Sequence, residues 1–197
     1  MNILLIRHAQ SVANISGLLI SNERDGLTDA GINQIMVLKK TLFKLYPNKP
    51  TLIFSSPWKR AHLTAQILYG ANELIILDSR LAETNPGVYG SWLEVEFYKK
   101  YPDFNKNIEN RYEGGESHLD MANRSRDWFE EEVYSRRNED GLIVAVTHGG
   151  PISAILQHLL GISLNFYPCF SVANASLTSI RWRHDLGRFI VESVGSN

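Results

Sequence analysis

Short aliphatic runs punctuate this chain at wide intervals, and helix-period patterns fill the spaces between them. Ile3-Leu4-Leu5-Ile6 is the first run, Thr51 to Phe54 the second, Leu74 to Leu77 the third and Leu142 to Val146 the fourth. Unbroken apolar runs of this length, with β-branched members, predict strands buried on both faces, as in a parallel sheet. After the first run, Thr28 is placed to cap a helix with Asp29 in its first turn. Ile32, Ile35, Met36, Leu38, Leu42, Phe43 and Leu45 form the apolar face predicted for it, and Pro47 and Pro50 end it. Pro57 opens the next predicted helix, through Ala61, Leu63, Ala65 and Leu68. Trp92 to Tyr101 reads as a short helix closed by Pro102, and Ser117 as the cap of a longer one reaching about Arg137. Pro151 to Leu160 is an apolar helix stopped by Gly161. Leu177–Trp182 and Arg188–Val194 form a hairpin around Asp185-Leu186-Gly187. The alternation predicts one α/β domain over residues 1–197, with a turn-rich, lid-like excursion at about 84–117.

In an open α/β sheet, ligands bind beyond the carboxyl ends of the strands. The first run leads into Arg7-His8-Ala9-Gln10-Ser11, and the second into Ser55-Ser56-Pro57-Trp58-Lys59-Arg60. Glu83 follows the third run, and Thr147-His148-Gly149-Gly150 follows the fourth. Arg7, His8, Arg60, Glu83 and His148 are thus expected at one end of the sheet. Phosphoryl transfer through a histidine needs this set. Guanidinium groups grip phosphate oxygens bidentately and stabilise the charge on the transferring group. A neutral imidazole is a competent nucleophile near pH 7, and a second imidazole can donate to the phosphoryl oxygens. A carboxylic acid protonates the departing alkoxide, then as a base activates the water that clears the phosphohistidine. Glu83 fits that role, so turnover is expected to be fastest on the acid side of neutrality.

A formal net charge of -1 gives no reason to expect nucleic acid or an anionic membrane as partner. The single cysteine, Cys169, cannot form an intrachain disulfide and is expected to be buried and inert. No run approaches the ~20 apolar residues of a membrane span, and Ile3–Ile6 is too short for a signal peptide core, so a cytoplasmic location is expected.

Taken in order along the chain, these segments resemble the histidine phosphatase superfamily, also called phosphoglycerate mutase-like. Arg7-His8-Ala9-Gln10-Ser11 is similar to its first motif, Leu27-Thr28-Asp29-Ala30-Gly31 to the helix start that follows, and Ser55-Ser56-Pro57 with Arg60-Ala61 and Thr64-Ala65 to its second motif. Leu81-Ala82-Glu83, Gly115-Glu116-Ser117, Val146-Thr147-His148-Gly149-Gly150 and Asn174-Ala175-Ser176 continue the match. The resemblance implies a three-layer α/β/α sandwich around a mostly parallel sheet. It implies His8 as the phosphorylated nucleophile, Arg7, Arg60 and His148 as the phosphate pocket, and Glu83 as the proton donor. Asn14, with Ser11 and Gln10, would contact the phosphoryl group, and Gly149 would border it. No metal and no organic cofactor is implied. Ala9 stands where the family usually has glycine, a tolerable change if φ is negative there, and residues 85–92 depart from the usual glycine-tryptophan-glycine pattern.

Lys59 and Arg24 are candidates to reach a further anionic group of the substrate. His62, His118, His158 and His184 read as packing or surface residues. Tyr89, Trp92, Phe97, Tyr101 and Tyr112 make the excursion aromatic, which points to a moderately apolar or sugar-like leaving group on a small phosphorylated substrate. A mutase must hold water away from its phosphohistidine, and the stretch after Val194 is short, so hydrolysis is expected to win. The alternatives are mutase-type phosphoryl transfer and a catalytically silent phospho-ligand binder, for which Glu83 would be superfluous.

Overall fold

The computed structural model describes residues 1–196; Asn197, the last residue of the expected domain, lies outside the described residues. Six strands form one sheet: β1 (Asn2–Arg7), β2 (Leu52–Ser55), β3 (Ile76–Leu77), β4 (Leu142–Thr147), β5 (Leu177–Arg183) and β6 (Arg188–Ser196). Their order is β3-β2-β4-β1-β5-β6. The first four are mutually parallel, in register Ile3↔Ile143 and Ile53↔Val144, while β5 runs antiparallel to β1 and β6 antiparallel to β5. Six helices accompany them: α1 (Val12–Ser16), α2 (Asp29–Leu45), α3 (Lys59–Tyr69), α4 (Glu94–Lys100), α5 (His118–Trp128) and α6 (Gly149–Leu160).

Strand alternation decides the layers. Ile3 and Leu5 of β1, with Ile143 and Ala145 of β4, pack on Trp128, Phe129, Ile152 and Ile155 of the α5 and α6 side. Leu4, Ile6, Val144 and Val146 point the other way, onto Ile35, Leu38 and Leu42 of α2 and Ala61, Ala65 and Leu68 of α3. Each fully buried aliphatic side chain contributes about 1.5–3 kcal/mol, so β1 and β4, apolar on both sides, are fixed at the centre of a three-layer sandwich.

Local signals hold well at the helix ends. Thr28 caps α2 by accepting from Gly31 N, and Ser117 caps α5 in a reciprocal box with Asp120. Beyond Trp128 the helix widens into a π-helical turn, Phe129–Val133. Gly161 ends α6 in the left-handed conformation. Two expectations fail. The third apolar run yields only the two-residue β3, because it sits at the sheet edge and Leu74 is 81% exposed. Of the apolar face expected on α2 only Ile35, Leu38 and Leu42 are buried; Ile32, Met36, Phe43 and Leu45 flank that line and stay exposed, since the sheet covers a narrower stripe than the apolar pattern.

The excursion carries its own small core, in which Phe97 packs edge-on against Tyr89, Tyr98 and Phe104. Its two arms meet backbone to backbone: a Cβ on Gly87 would lie 1.9 Å from the Glu113 carbonyl oxygen, and one on Gly115 would lie 2.3 Å from that of Asn85. Gly31 makes the same kind of approach between α2 and the segment after β1, where a Cβ would lie 2.2 Å from the Gln10 carbonyl oxygen. Overpacking against backbone costs roughly 1–3 kcal/mol, and a chain of this size loses about 2–4 °C of Tm per kcal/mol. Gly31→Ala is therefore expected to lower Tm by several degrees. In Gly26→Ala the new methyl would meet only the tip of Lys59, at 3.8 Å, and Tm is expected to hold. Equal melting of the two variants by calorimetry would contradict this packing.

Candidate active site

His8 leaves β1 at the carboxyl end of the sheet, and its peptide is pinned from three sides. Its N–H donates to Thr147 O of β4 at 2.9 Å. Its carbonyl accepts from Ala175 N at 3.1 Å and from Asn174 Nδ2 at 3.0 Å, which accounts for the Asn174-Ala175-Ser176 motif. The next residue, Ala9, is fully buried and outside the positive-φ region, and its N–H donates to Thr64 Oγ1 of α3. The ring is fixed too. Nδ1 is 2.7 Å from the Ala9 carbonyl, which must accept a proton there, so Nε2 presents its lone pair. Arg60 Nε donates to that Nε2 at 3.1 Å.

Burial and the neighbouring Arg60 charge hold the His8 imidazole well below 6.5. His148, at the end of β4, is buried 5.0 Å from His8 between ring centres, and burial likewise lowers it. Its Nε2 is hydrogen-bonded to Ser56 Oγ at 2.8 Å, while its Nδ1 is buried without a partner. Arg7 is similar: Nη1 donates to Val172 O at 2.5 Å, and Nε is buried without a partner. Leaving a buried donor unmet costs about 1–3 kcal/mol. Arg7 and His148 thus each hold a buried polar atom without a partner next to His8, where such groups call for an explanation. Arg60, on the first turn of α3, has its pKa lowered by burial to about 10; it stacks over Trp58 and donates to the Asn22 and Ile20 carbonyls.

Glu83 follows the short 3-10 turn after β3, and backbone groups fix its carboxylate. Oε1 accepts from Thr84 N at 3.0 Å, and Oε2 accepts from Gly150 N of α6 at 3.1 Å. The approach needs glycine, since a Cβ on Gly150 would lie 2.2 Å from Oε1. Arg124 of α5 holds the segment in place. It donates to the Ala82 and Glu83 carbonyls at 2.7 and 2.9 Å while pairing with Glu116 at 2.9 Å.

Two cavities meet at Glu83. One, of about 750 Å³, is lined by Arg24, Trp58, Asn85, Glu116 and Arg124 among others. The second, of about 440 Å³, opens onto Arg7, Gly149 and Gly150 and is walled by Tyr98, Tyr112 and His118.

The five residues expected to act together do converge, and Gly149 lies against Arg7. Other expectations shift. Ser11 is buried and donates from both N–H and Oγ to Asn14 Oδ1, starting α1. Gln10 receives Thr28 Oγ1 and so braces α2. Asn14 also accepts from Asn174, tying α1 to the segment that pins His8. Neither Gln10, Ser11, Asn14 nor Lys59 lines either cavity; Lys59 is exposed. Tyr89 and Phe97 pack within the excursion and do not wall the second cavity; Tyr112 does. His118 is no bystander, for its Nδ1 is 3.0 Å from Thr84 Oγ1 and its ring faces the second cavity. Cys169 is exposed, because the turn after α6 runs over the surface. Arg124 donates to the Glu83 carbonyl and Tyr167 Oη shares with Glu83 the space beside Gly150; both come from distant segments, and no local pattern in the sequence points to either. Among the described residues, no helix is long and apolar enough to cross a membrane.

The comparisons with known proteins agree with this geometry. Phosphoserine phosphatase 1 of Hydrogenobacter thermophilus is 32% identical over 184 residues, covering 90% of this chain and 85% of that protein. Glucosyl-3-phosphoglycerate phosphatase of Mycobacterium tuberculosis is 29% identical, covering 93% and 92%. The solved structure of a mycobacterial glucosyl-3-phosphoglycerate phosphatase with VO3 superposes with a TM-score of 0.84 at 26% identity, over 100% of this chain and 99% of that one. Residues 3–194 match the model of one family, and the chain belongs to that family, the histidine phosphatase superfamily (branch 1).

Proposed function

We propose that this protein hydrolyses small phosphomonoesters through a phosphohistidine at Nε2 of His8, with Glu83 as proton donor and then base. The observation that carries this is the pair of buried, unpartnered polar atoms, Arg7 Nε and His148 Nδ1, beside an imidazole whose Nε2 keeps its lone pair and accepts from Arg60. The phosphoryl oxygens accept from those atoms and from Arg60. Nε2 attacks phosphorus as the ester P–O bond breaks, and the electron pair goes to the alkoxide oxygen, which takes the proton of the Glu83 carboxyl. The Glu83 carboxylate then takes a proton from water. The water oxygen attacks phosphorus, the N–P bond breaks, and its pair returns to Nε2. In this reading residues 84–117 frame the leaving group, and the chain works as one domain.

The test is phosphate release with a chelator present. Wild type is expected to turn over p-nitrophenyl phosphate, and His8→Ala to show neither turnover nor an acid-labile phosphoenzyme. Glu83→Gln is expected to lose about 10²–10⁴-fold in kcat on alkyl phosphates, and less on p-nitrophenyl phosphate, whose leaving group departs without a proton. Activity only with a bisphosphate primer would indicate a mutase. Phosphate binding without any release would indicate a silent binder.

The methyl added by Gly150→Ala must push the Glu83 carboxylate aside. A misplacement near 1 Å can cost about 10²-fold, so kcat is expected to fall by that order while inorganic phosphate still binds. Unchanged kcat would remove Glu83 from the reaction.

Because burial and Arg60 depress the His8 imidazole, it is neutral at pH 7 and stays neutral as pH falls past 6.5. Nitrogen-detected NMR of the free protein at pH 6.5 is expected to show His8 as the neutral Nδ1–H tautomer. A titration midpoint at or above 6.5 would contradict the site's electrostatics.

A further inference from the structure

Glu83 borders both cavities, so the side on which the leaving group departs is decided by the groups around it. Arg7, Gly149 and Gly150, which crowd the phosphate position, open only onto the second cavity. Its volume of about 440 Å³ is in the usual range of small-molecule pockets. The charge of its walls is one-sided. Among the described residues that line it, Arg7 is the sole arginine or lysine, and the phosphoryl group claims that one. His118 adds no charge at pH 7, since burial lowers it below 6.5. Glu94, on the first turn of α4 and one turn from Tyr98, lines it as well; the residue is exposed and pairs with no cation among the described residues. The rest of the wall is aromatic and hydroxyl-bearing: Tyr98, bonded to Asn105 at 2.8 Å, then Tyr112 and Tyr167.

A carboxylate on the leaving group would meet Glu94 with no cation to receive it. A neutral, hydroxyl-rich alcohol would find stacking faces and hydroxyl partners there, and an ammonium group would find Glu94. Resting on the phosphatase reading above, we infer that the second cavity selects phosphomonoesters of neutral or amine-bearing polyols such as sugars, rejects carboxylate-bearing ones, and uses Glu94 as the specificity-determining residue.

Steady-state kinetics with glucosamine 6-phosphate, glucose 6-phosphate and 3-phosphoglycerate test this on wild type, Glu94→Gln and Glu94→Lys. In wild type, kcat/KM for glucosamine 6-phosphate is expected to exceed that for glucose 6-phosphate by about two- to fivefold, the yield of one partly exposed ion pair. The 3-phosphoglycerate value is expected to be lowest. Glu94→Gln should bring the ratio of the two sugar phosphates to about one. Glu94→Lys should invert it and raise 3-phosphoglycerate above both sugar phosphates. A merely structural role for Glu94 would move all three substrates together and would overturn the inference. So would a wild-type preference for 3-phosphoglycerate that is lost in Arg24→Met, which would seat the leaving group in the first cavity. Hydrolysis of none of the three, nor of p-nitrophenyl phosphate, would overturn the phosphatase reading itself.

Discussion

The hydrogen bond from Arg60 Nε to Nε2 of His8 sets the terms for the whole site. A guanidinium at that distance tolerates only an imidazole that keeps its lone pair there. Two like charges about 4 Å apart repel by about 4 kcal/mol at an effective dielectric of ~20, against ~1 kcal/mol in water. Burial of His8 to 2% exposure supplies the low-dielectric surroundings, and the Ala9 carbonyl takes the one proton that remains on the ring. His8 is thereby held as a neutral imidazole by the same arginine that the proposed mechanism turns toward the substrate's charge. The arginine in turn is held by the Ile20 and Asn22 carbonyls and by Trp58, so the loop before α2 belongs to the site as much as the strand ends do.

The sheet makes this charge arrangement rigid. β1 and β4 are buried on both faces, and their carboxyl ends bring His8 and His148 side by side. Glu83 lacks such a strand, because β3 is short and marginal. Its position is built instead from Gly150 and Arg124, the latter coupled to Glu116 and so to the base of the excursion. Glu83 and His8 therefore rest on different supports. The surroundings of Glu83 also differ from those of His8. Arg7, Arg60 and His148 stand around His8, whereas the second cavity is walled by tyrosines and by Glu83 and Glu94.

The chain by itself determined which residues would gather, and at which end of the sheet. Apolar runs of four or five residues, each followed within six positions by arginine, histidine or glutamate, leave little freedom once the strands are parallel. Helix caps at Thr28 and Ser117 were equally legible, because a cap is a contact between neighbours three residues apart. What tertiary structure alone decided are contacts between segments far apart in the chain. Arg124 reaches Glu83 across 41 positions, Gln10 braces α2 through Thr28, and Cys169 ends on the surface. The apolar side of α2 is half exposed because the sheet, and not the helix pattern, sets how wide a stripe is covered. Periodicity reports which way a side chain points along its own element; which distant group it meets is fixed only when the elements pack.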